Sequence, residues 1–139
     1  MKSFYVRALE YIIKYVMADK IIIKNKNRVA CSDDRVVFYH IDSDVDENDA
    51  QRLNDFGKDC FEKNLADYVL IDLKASTEFS SVARKIWVEF LQDARIKKTA
   101  IFGGNVFVRT LASFVIAATG KRNIKFFSVE KNARAWFNE

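Results

Sequence analysis

The sequence predicts an α/β domain built on a mixed, largely parallel β-sheet with alternating helices. From residue 35 onward, short apolar segments of strand length alternate with longer amphipathic segments, a pattern typical of parallel strands joined by helices. The 139 residues contain no proline and only four glycines, which argues against a β-sandwich and against a long linker. Half of the residues are hydrophobic and 30% are charged, an ordinary globular balance.

The first half of the chain predicts a helix, three strands and a second helix. The pattern assigns residues 1–18 to an N-terminal amphipathic helix and residues 19–139 to the domain. Three segments predicted as strands follow, at 20–25, 28–32 and 35–41, and the last of them is rich in β-branched and aromatic residues. The next helix covers 46–63, and the acidic residues Asp46, Glu47 and Asp49 at its start complement the positive helix end.

The second half predicts three strands, each followed by a helix. The strands are 67–73, 98–104 and 123–129, and the helices are 80–96, 105–119 and 130–138. Helix 105–119 ends at Gly120. This helix is apolar on nearly all sides, so a second face should contact the N-terminal helix, a second protomer in a homodimer, a lipid-like ligand or a membrane surface. The apolar positions of helix 80–96 predict a buried stripe of Val82, Ala83, Ile86, Trp87, Phe90 and Leu91.

Composition excludes several classes of function. The net charge is +4, but the basic residues are spread along the chain, so we expect no nucleic-acid partner. Cys31 and Cys60 have no CxxC spacing, His40 is the single histidine, and the acidic run 42–49 lacks the glycine and glutamate of a calcium loop. We therefore expect no metal, no cofactor and no catalytic residue. Without a signal peptide or an apolar stretch of membrane-spanning length, the expected location is cytoplasmic.

The segments from 68 to 85 and from 98 to 137 resemble the bacterial SpoIIAA-like proteins of the STAS superfamily. The resemblance is carried by Asp72-Leu73 at a strand end, Ser80-Ser81, Ala83-Arg84, and a closing helix in which Phe127 precedes Ala133 and Trp136. It implies a STAS fold with helices mainly on one side of the sheet. It also implies a non-enzymatic domain that binds a partner protein or a small, lipid-like ligand.

Gly103 and Gly104 connect a predicted strand to a predicted helix. They match neither a dinucleotide fingerprint nor a phosphate-binding loop, because the further glycines or the lysine are missing. The favoured interpretation is a sharp turn with positive φ at one glycine and close packing of helix and strand. Asn105 would cap the following helix, and an anion at that helix start is the alternative.

Ser80 and Ser81 stand at the start of helix 80–96. In the sporulation-regulator branch of the family a phosphorylatable serine lies in this loop, and spacing places it at Ser80. That branch has an acidic residue and a glycine where this chain has Phe79 and Val82. Capping of the helix by the Ser80 hydroxyl is the structural alternative.

The function predicted from these features is ligand binding without catalysis. The ligand is a small apolar or lipid-like molecule, or a membrane surface, and its site is placed at the carboxyl ends of the strands. The predicted site residues are Gly103, Gly104, Asn105, Phe107, Ser80 and Ser81. The second hypothesis is a protein-interaction regulator of the anti-sigma-antagonist type, switched by phosphorylation at Ser80. His40 is interpreted as a structural histidine of the strand that it shares with Val36 and Phe38.

Overall fold

A computed structural model describes residues 27–73, 78–103, 113, 116–117, 120 and 123–139, and the backbone of 20–22. The described strands are β1 Lys20–Ile22, β2 Arg28–Cys31, β3 Val36–Ile41, β4 Tyr68–Leu73, β5 Lys98–Gly103 and β6 Ile124–Phe127. The described helices are α1 Glu47–Glu62, α2 Ser81–Leu91 and α3 Glu130–Phe137. The predicted helix 1–18 and most of the predicted helix 105–119 lie outside the described residues.

The six strands form one sheet in chain order, β1 to β6. The pairs β1–β2 and β2–β3 are antiparallel, whereas β3 to β6 are mutually parallel. The predicted mixed, largely parallel sheet is therefore confirmed. Because successive side chains point to opposite faces, the register defines a two-helix face that carries Val37, Tyr39 and Ile41. The opposite, one-helix face carries Val36 and Phe38, together with the other even-numbered residues of β3.

The two-helix face holds the larger core, where α1 and α2 pack side by side on the sheet. Trp87 of α2 is 2% exposed and meets the Tyr39 ring at a centroid distance of 4.7 Å. The prediction that Val82 is buried was wrong, since this side chain is 43% exposed. Val82 lies one helical turn before Ile86, which is itself half-buried at the edge of the stripe. The fully buried members of this core include Val29, Val37, Ile41, Ala50, Leu53, Val69, Ala83 and Phe90.

Local chemistry fixes the start of α1 as the sequence predicts. The Asp46 carboxylate accepts a hydrogen bond of 2.8 Å from the Asp49 amide. The Asp49 carboxylate accepts one of 3.5 Å from the Asp46 amide. This reciprocal pair is a capping box, which satisfies two amides that the helix leaves free. The acidic run is thereby explained as a helix start.

Arg35 ties the amino ends of β3 and β4 together. It adopts a positive φ of 66°, and its Nε donates to the Asp67 carboxylate over 2.7 Å. The Asp67 amide returns a 2.9 Å bond to the Arg35 carbonyl. The guanidinium stabilises the ionised carboxylate, which lowers the pKa of Asp67. This clamp sets the register of β3 against β4 at one end, which determines the side chains that meet at the other end.

Helix α3 covers part of the one-helix face. Its Phe137 ring stacks on Tyr68 at a centroid distance of 4.7 Å, and Trp136, 8% exposed, packs among Val36, Leu70 and Ala100. Lys98, at the amino end of β5, donates to the Trp136 carbonyl over 2.7 Å. Trp136 is therefore a core residue of this face. The helix ends over the amino ends of the parallel strands.

Candidate functional site

Polar and aromatic side chains form a row across the one-helix face near the carboxyl ends of the parallel strands. The register aligns the members of this row strand by strand, since directly paired residues lie on the same face of a sheet. The pairs are Arg28 with His40, His40 with Asp72, Asp72 with Phe102, and Phe102 with Phe127. The row thus passes from a cation through an imidazole and a carboxylate to two aromatic rings.

His40 and Asp72 are the polar centre of this row. The His40 Nδ1 lies 3.3 Å from the Asp72 Oδ2. Asp72 is 7% exposed, whereas 30% of the His40 side chain remains accessible. The Phe38 ring lies 4.1 Å from the imidazole, centroid to centroid, and 6.4 Å from the Phe102 ring. A buried carboxylate therefore orients a partly accessible imidazole beside aromatic surface.

Gly103 ends β5 next to this pair. Its φ is +86°, and it is aligned with Leu73 of β4. A β-carbon at position 103 would lie 2.6 Å from the Leu73 carbonyl oxygen and 3.2 Å from the Asp72 Oδ1. The positive φ predicted for one of the two glycines is present at Gly103, which makes the strand end a tight bend. Gly104, Asn105 and Phe107 lie outside the described residues.

Ser80 and Ser81 lie at the start of α2, which is anchored to the segment between β3 and α1. The Ser80 amide donates to the Val45 carbonyl over 3.0 Å. The Ser80 hydroxyl accepts a 3.1 Å hydrogen bond from the Ala83 amide, so the predicted helix cap is confirmed. The Ser81 hydroxyl accepts a bond of 3.3 Å from Arg84 Nη2. Both serines are exposed.

The described residues of the predicted site lie in two different places in the structure. Gly103 lies beside Asp72, whose side chain belongs to the one-helix face. Ser80 begins α2, and the neighbouring Val45 is part of the core under α1 and α2. Among the described residues, the hydrogen bonds made by the two serine hydroxyls are local to the start of α2. The best-defined polar geometry is therefore at Gly103 and the His40–Asp72 pair.

The contact between His40 and Asp72 was missed in the sequence. The two residues are 32 positions apart, and alternation assigns a strand residue to a face but not to a neighbour on another strand. The usable signal was the parallel pairing of segments 35–41 and 67–73, which end in His40-Ile41 and Asp72-Leu73. Aligning the two segments by their ends brings imidazole and carboxylate together.

The described residues form no candidate metal site, no disulfide and no helix that could span a membrane. They contain no group of three or more histidine, cysteine, aspartate or glutamate side chains that could hold a metal ion. Cys31 and Cys60 are not joined in a disulfide, and Cys60 is buried in the larger core. Within the described segments, no helix has the length and apolarity needed to cross a membrane.

The mixed sheet, its paired helices on one face and its closing tryptophan helix on the other define a STAS-superfamily domain. The SpoIIAA-like family model matches residues 36–138, and the chain belongs to that family. The fold is also similar to an uncharacterized protein from the DUF3478 family with a SpoIIAA-like fold, from Shewanella loihica PV-4. The TM-score is 0.59 at 17% identity, covering 79% of this chain and 90% of the other. At this identity the likeness concerns the fold. No curated protein sequence matches the chain.

Proposed function

We propose that this protein is a non-enzymatic domain that binds a small apolar or lipid-like molecule, free or presented by a membrane surface. The observation that carries the proposal is the half-buried aromatic surface of the one-helix face, which the described helices cover less fully than the other face. The two-helix face is packed by α1, of 16 residues, and α2, of 11 residues. On the one-helix face the described cover is α3, of eight residues.

The side chains under α3 show how far this cover reaches. Helix α3 contacts all four parallel strands, at Phe38, Tyr68, Lys98 and Phe127. Apolar side chains nevertheless continue across this face, and Phe38 and Phe127 remain half-buried. Aromatic surface near the carboxyl ends of parallel strands, with a few polar groups beside it, has the composition of a small-molecule site.

The neighbours of His40 favour binding over catalysis. An imidazole held by a carboxylate can act as a general base for a nucleophile within hydrogen-bond reach. In the described sheet, the residues aligned with His40 are Arg28 and Asp72, and neither is a nucleophile of that kind. Cys31 is aligned with Val37 and so belongs to the opposite face.

Adjacent phenylalanines of β6 provide a matched test of the proposed function. Phe127 packs with the one-helix face and Phe126 with the core of the two-helix face, and both are half-buried. Native mass spectrometry of freshly purified protein should show a bound apolar mass, and neutral Nile red should bind in the same place. We expect Phe127→Ser to abolish both signals per folded molecule and Phe126→Ser to retain them. Equal behaviour of the two variants, compared at equal folded fraction by circular dichroism, would contradict the proposal.

Exposed groups at the start of α2 favour a second candidate function, a protein-interaction regulator of the anti-sigma-antagonist type switched by serine phosphorylation. Ser80 and Ser81 are exposed there, and Val82 beside them is 43% exposed. A phosphate at a helix N-terminus is favoured by the helix dipole. A protein partner that binds at these hydroxyls could bury the apolar side chain of Val82 in the interface.

The Ser80 hydroxyl permits a test of both roles. Ser80→Ala should lower the free energy of unfolding by about 1 kcal/mol, because the Ala83 amide loses its cap. Ser81→Ala is the matched control, since Ser81 does not cap the helix, and a surface change of this kind should stay within about 0.5 kcal/mol. Urea unfolding checks these values. A regulatory role further requires phosphate at Ser80 or Ser81 in protein isolated from its own cells, and its absence there would contradict the regulator.

A further inference from the structure

The one-helix face carries an accessible cation next to the His40–Asp72 pair. Arg28 on β2 is exposed and aligned with His40 on β3. Within the described segments, Arg28 forms no ion pair, in contrast to Arg35, Arg95 and Arg134, each of which contacts a carboxylate. An arginine without an internal carboxylate is available to an anion from outside, and its guanidinium suits carboxylate geometry.

Asp72 determines which atom of His40 a ligand can reach. The carboxylate lies 3.3 Å from Nδ1, so Nε2 is the ring nitrogen left for a ligand. Asp72 itself is 7% exposed and presents little charge to the surface. Among the described residues, the groups next to His40 are Arg28 from β2, Asp72 from β4 and the Phe38 ring from its own strand. The Arg134 guanidinium of α3 lies 5.2 Å from the centroid of that Phe38 ring. The accessible charges that the described residues place near His40 are therefore positive.

We propose that Arg28 and His40 bind the anionic head group of an amphipathic ligand, a carboxylate whose apolar chain lies along Phe38 and toward Phe102. This inference rests on the proposed function, because it assigns a head group to the same ligand. The carboxylate head group would meet the positive charge of Arg28 and not the buried carboxylate of Asp72, because His40 stands between these two residues in the row. The aromatic rings next to His40 supply surface for the chain, with Phe38 and Phe102 at 6.4 Å.

Three probes of equal chain length test the head group in the full-length protein. Decanoate, decanol and decylammonium would compete for bound Nile red at low salt. We expect decanoate to bind most tightly and decylammonium most weakly. Raising the salt concentration should weaken the binding of decanoate but not that of decanol, because salt screens the interaction between partly exposed charges.

Two variants and one control assign the effect to residues. Arg28→Gln and His40→Asn should each lower the affinity for decanoate about tenfold, which is the effect of losing one hydrogen bond to a charged group. Neither substitution should change the affinity for decanol. Asparagine keeps an amide near the Nδ1 position facing Asp72 but has no atom at the Nε2 position. Arg52→Gln is the control, because Arg52 is an exposed arginine of α1, and it should change nothing.

The outcomes separate this inference from the function on which it rests. Equal binding of all three probes, unaffected by Arg28→Gln and His40→Asn, would overturn the head-group assignment and leave the apolar site intact. Tighter binding of decylammonium than of decanoate would overturn the assignment, because it would indicate a cationic head group bound near Asp72. If none of the probes displaces Nile red and no apolar mass accompanies the protein, the proposed function itself fails.

Discussion

Replacing Gly103 by alanine should destabilise the domain by about 3 kcal/mol, because two separate costs add. A residue with a β-carbon held at a positive φ pays about 1–2 kcal/mol of backbone strain, and the φ of Gly103 is +86°. The new β-carbon would also lie 2.6 Å from the Leu73 carbonyl oxygen. That oxygen is backbone inside a parallel ladder, so relieving the contact requires the ends of β4 and β5 to separate.

Gly120 offers a matched control for the first of these costs alone. Its φ is +66°, and a β-carbon placed there meets no atom within 4 Å. Gly120→Ala should therefore cost only the strain, about 1 kcal/mol. Urea unfolding of both variants gives the comparison directly. If the two substitutions lowered stability equally, the close approach to Leu73 would not contribute, and Gly103 would be only a conformational glycine.

The Gly103→Ala variant should also affect ligand binding at the proposed site. The added carbon would stand 3.2 Å from the Asp72 Oδ1, which is tight enough to shift the carboxylate that holds His40. In folded Gly103→Ala protein we expect decanoate binding to weaken, whereas Gly120→Ala should bind as the original protein does. The absence of a side chain at Gly103 thus leaves room for the Asp72 carboxylate.

The parts of the fold predictable from sequence are those set by neighbours along the chain. The Asp46–Asp49 capping box and the Ser80 cap form within one helical turn. Strand and helix types follow from the spacing of apolar residues, which is also a local property. The burial of Val82 was not predictable in this way, since its spacing matches the buried stripe but its side chain is 43% exposed. Spacing assigns a residue to a helix face and does not say how much of that face is covered.

The candidate site was less predictable because it is made by pairing between strands. His40, Asp72 and Arg28 come from three strands, and only the register brings them into one row. Gly103 was selected correctly as a special backbone position, but its neighbour Asp72 becomes visible only once β4 and β5 are aligned. The packing of α3 on the one-helix face is likewise a tertiary event, since an amphipathic helix does not specify the face of the sheet that it covers.

The second large effect is expected at Gly57, in the middle of α1. Alanine is favoured over glycine in a helix interior by about 1 kcal/mol, so propensity alone predicts a more stable protein. The structure predicts the opposite sign. A β-carbon at position 57 would overlap the Tyr39 hydroxyl and lie 2.8 Å from the Phe90 Cζ. Both rings are fully buried, and overpacking of this kind costs about 1–3 kcal/mol or more.

The overlap cannot be relieved simply by moving the tyrosine. Its hydroxyl donates to the Leu53 carbonyl over 3.4 Å, its ring packs against Trp87, and burial raises the pKa of Tyr39, so the hydroxyl stays protonated. We therefore expect Gly57→Ala to lower the free energy of unfolding by about 2 kcal/mol after the propensity gain. Lys58→Ala, at the next position of the same helix, should change it by less than about 0.5 kcal/mol.

A double-mutant cycle identifies the atom responsible. Tyr39→Phe removes the hydroxyl that the new β-carbon would overlap, at a cost of about 1 kcal/mol for its hydrogen bond. In the Tyr39→Phe background, Gly57→Ala should cost at least about 1 kcal/mol less than in the original protein, a coupling typical of residues in contact. Additive costs would mean that Phe90, at 2.8 Å, dominates the clash, and a stabilised Gly57→Ala protein would mean that α1 shifts away from the sheet at little cost. Urea unfolding of the four proteins distinguishes these results, because the hydroxyl is the only atom that the tyrosine change removes.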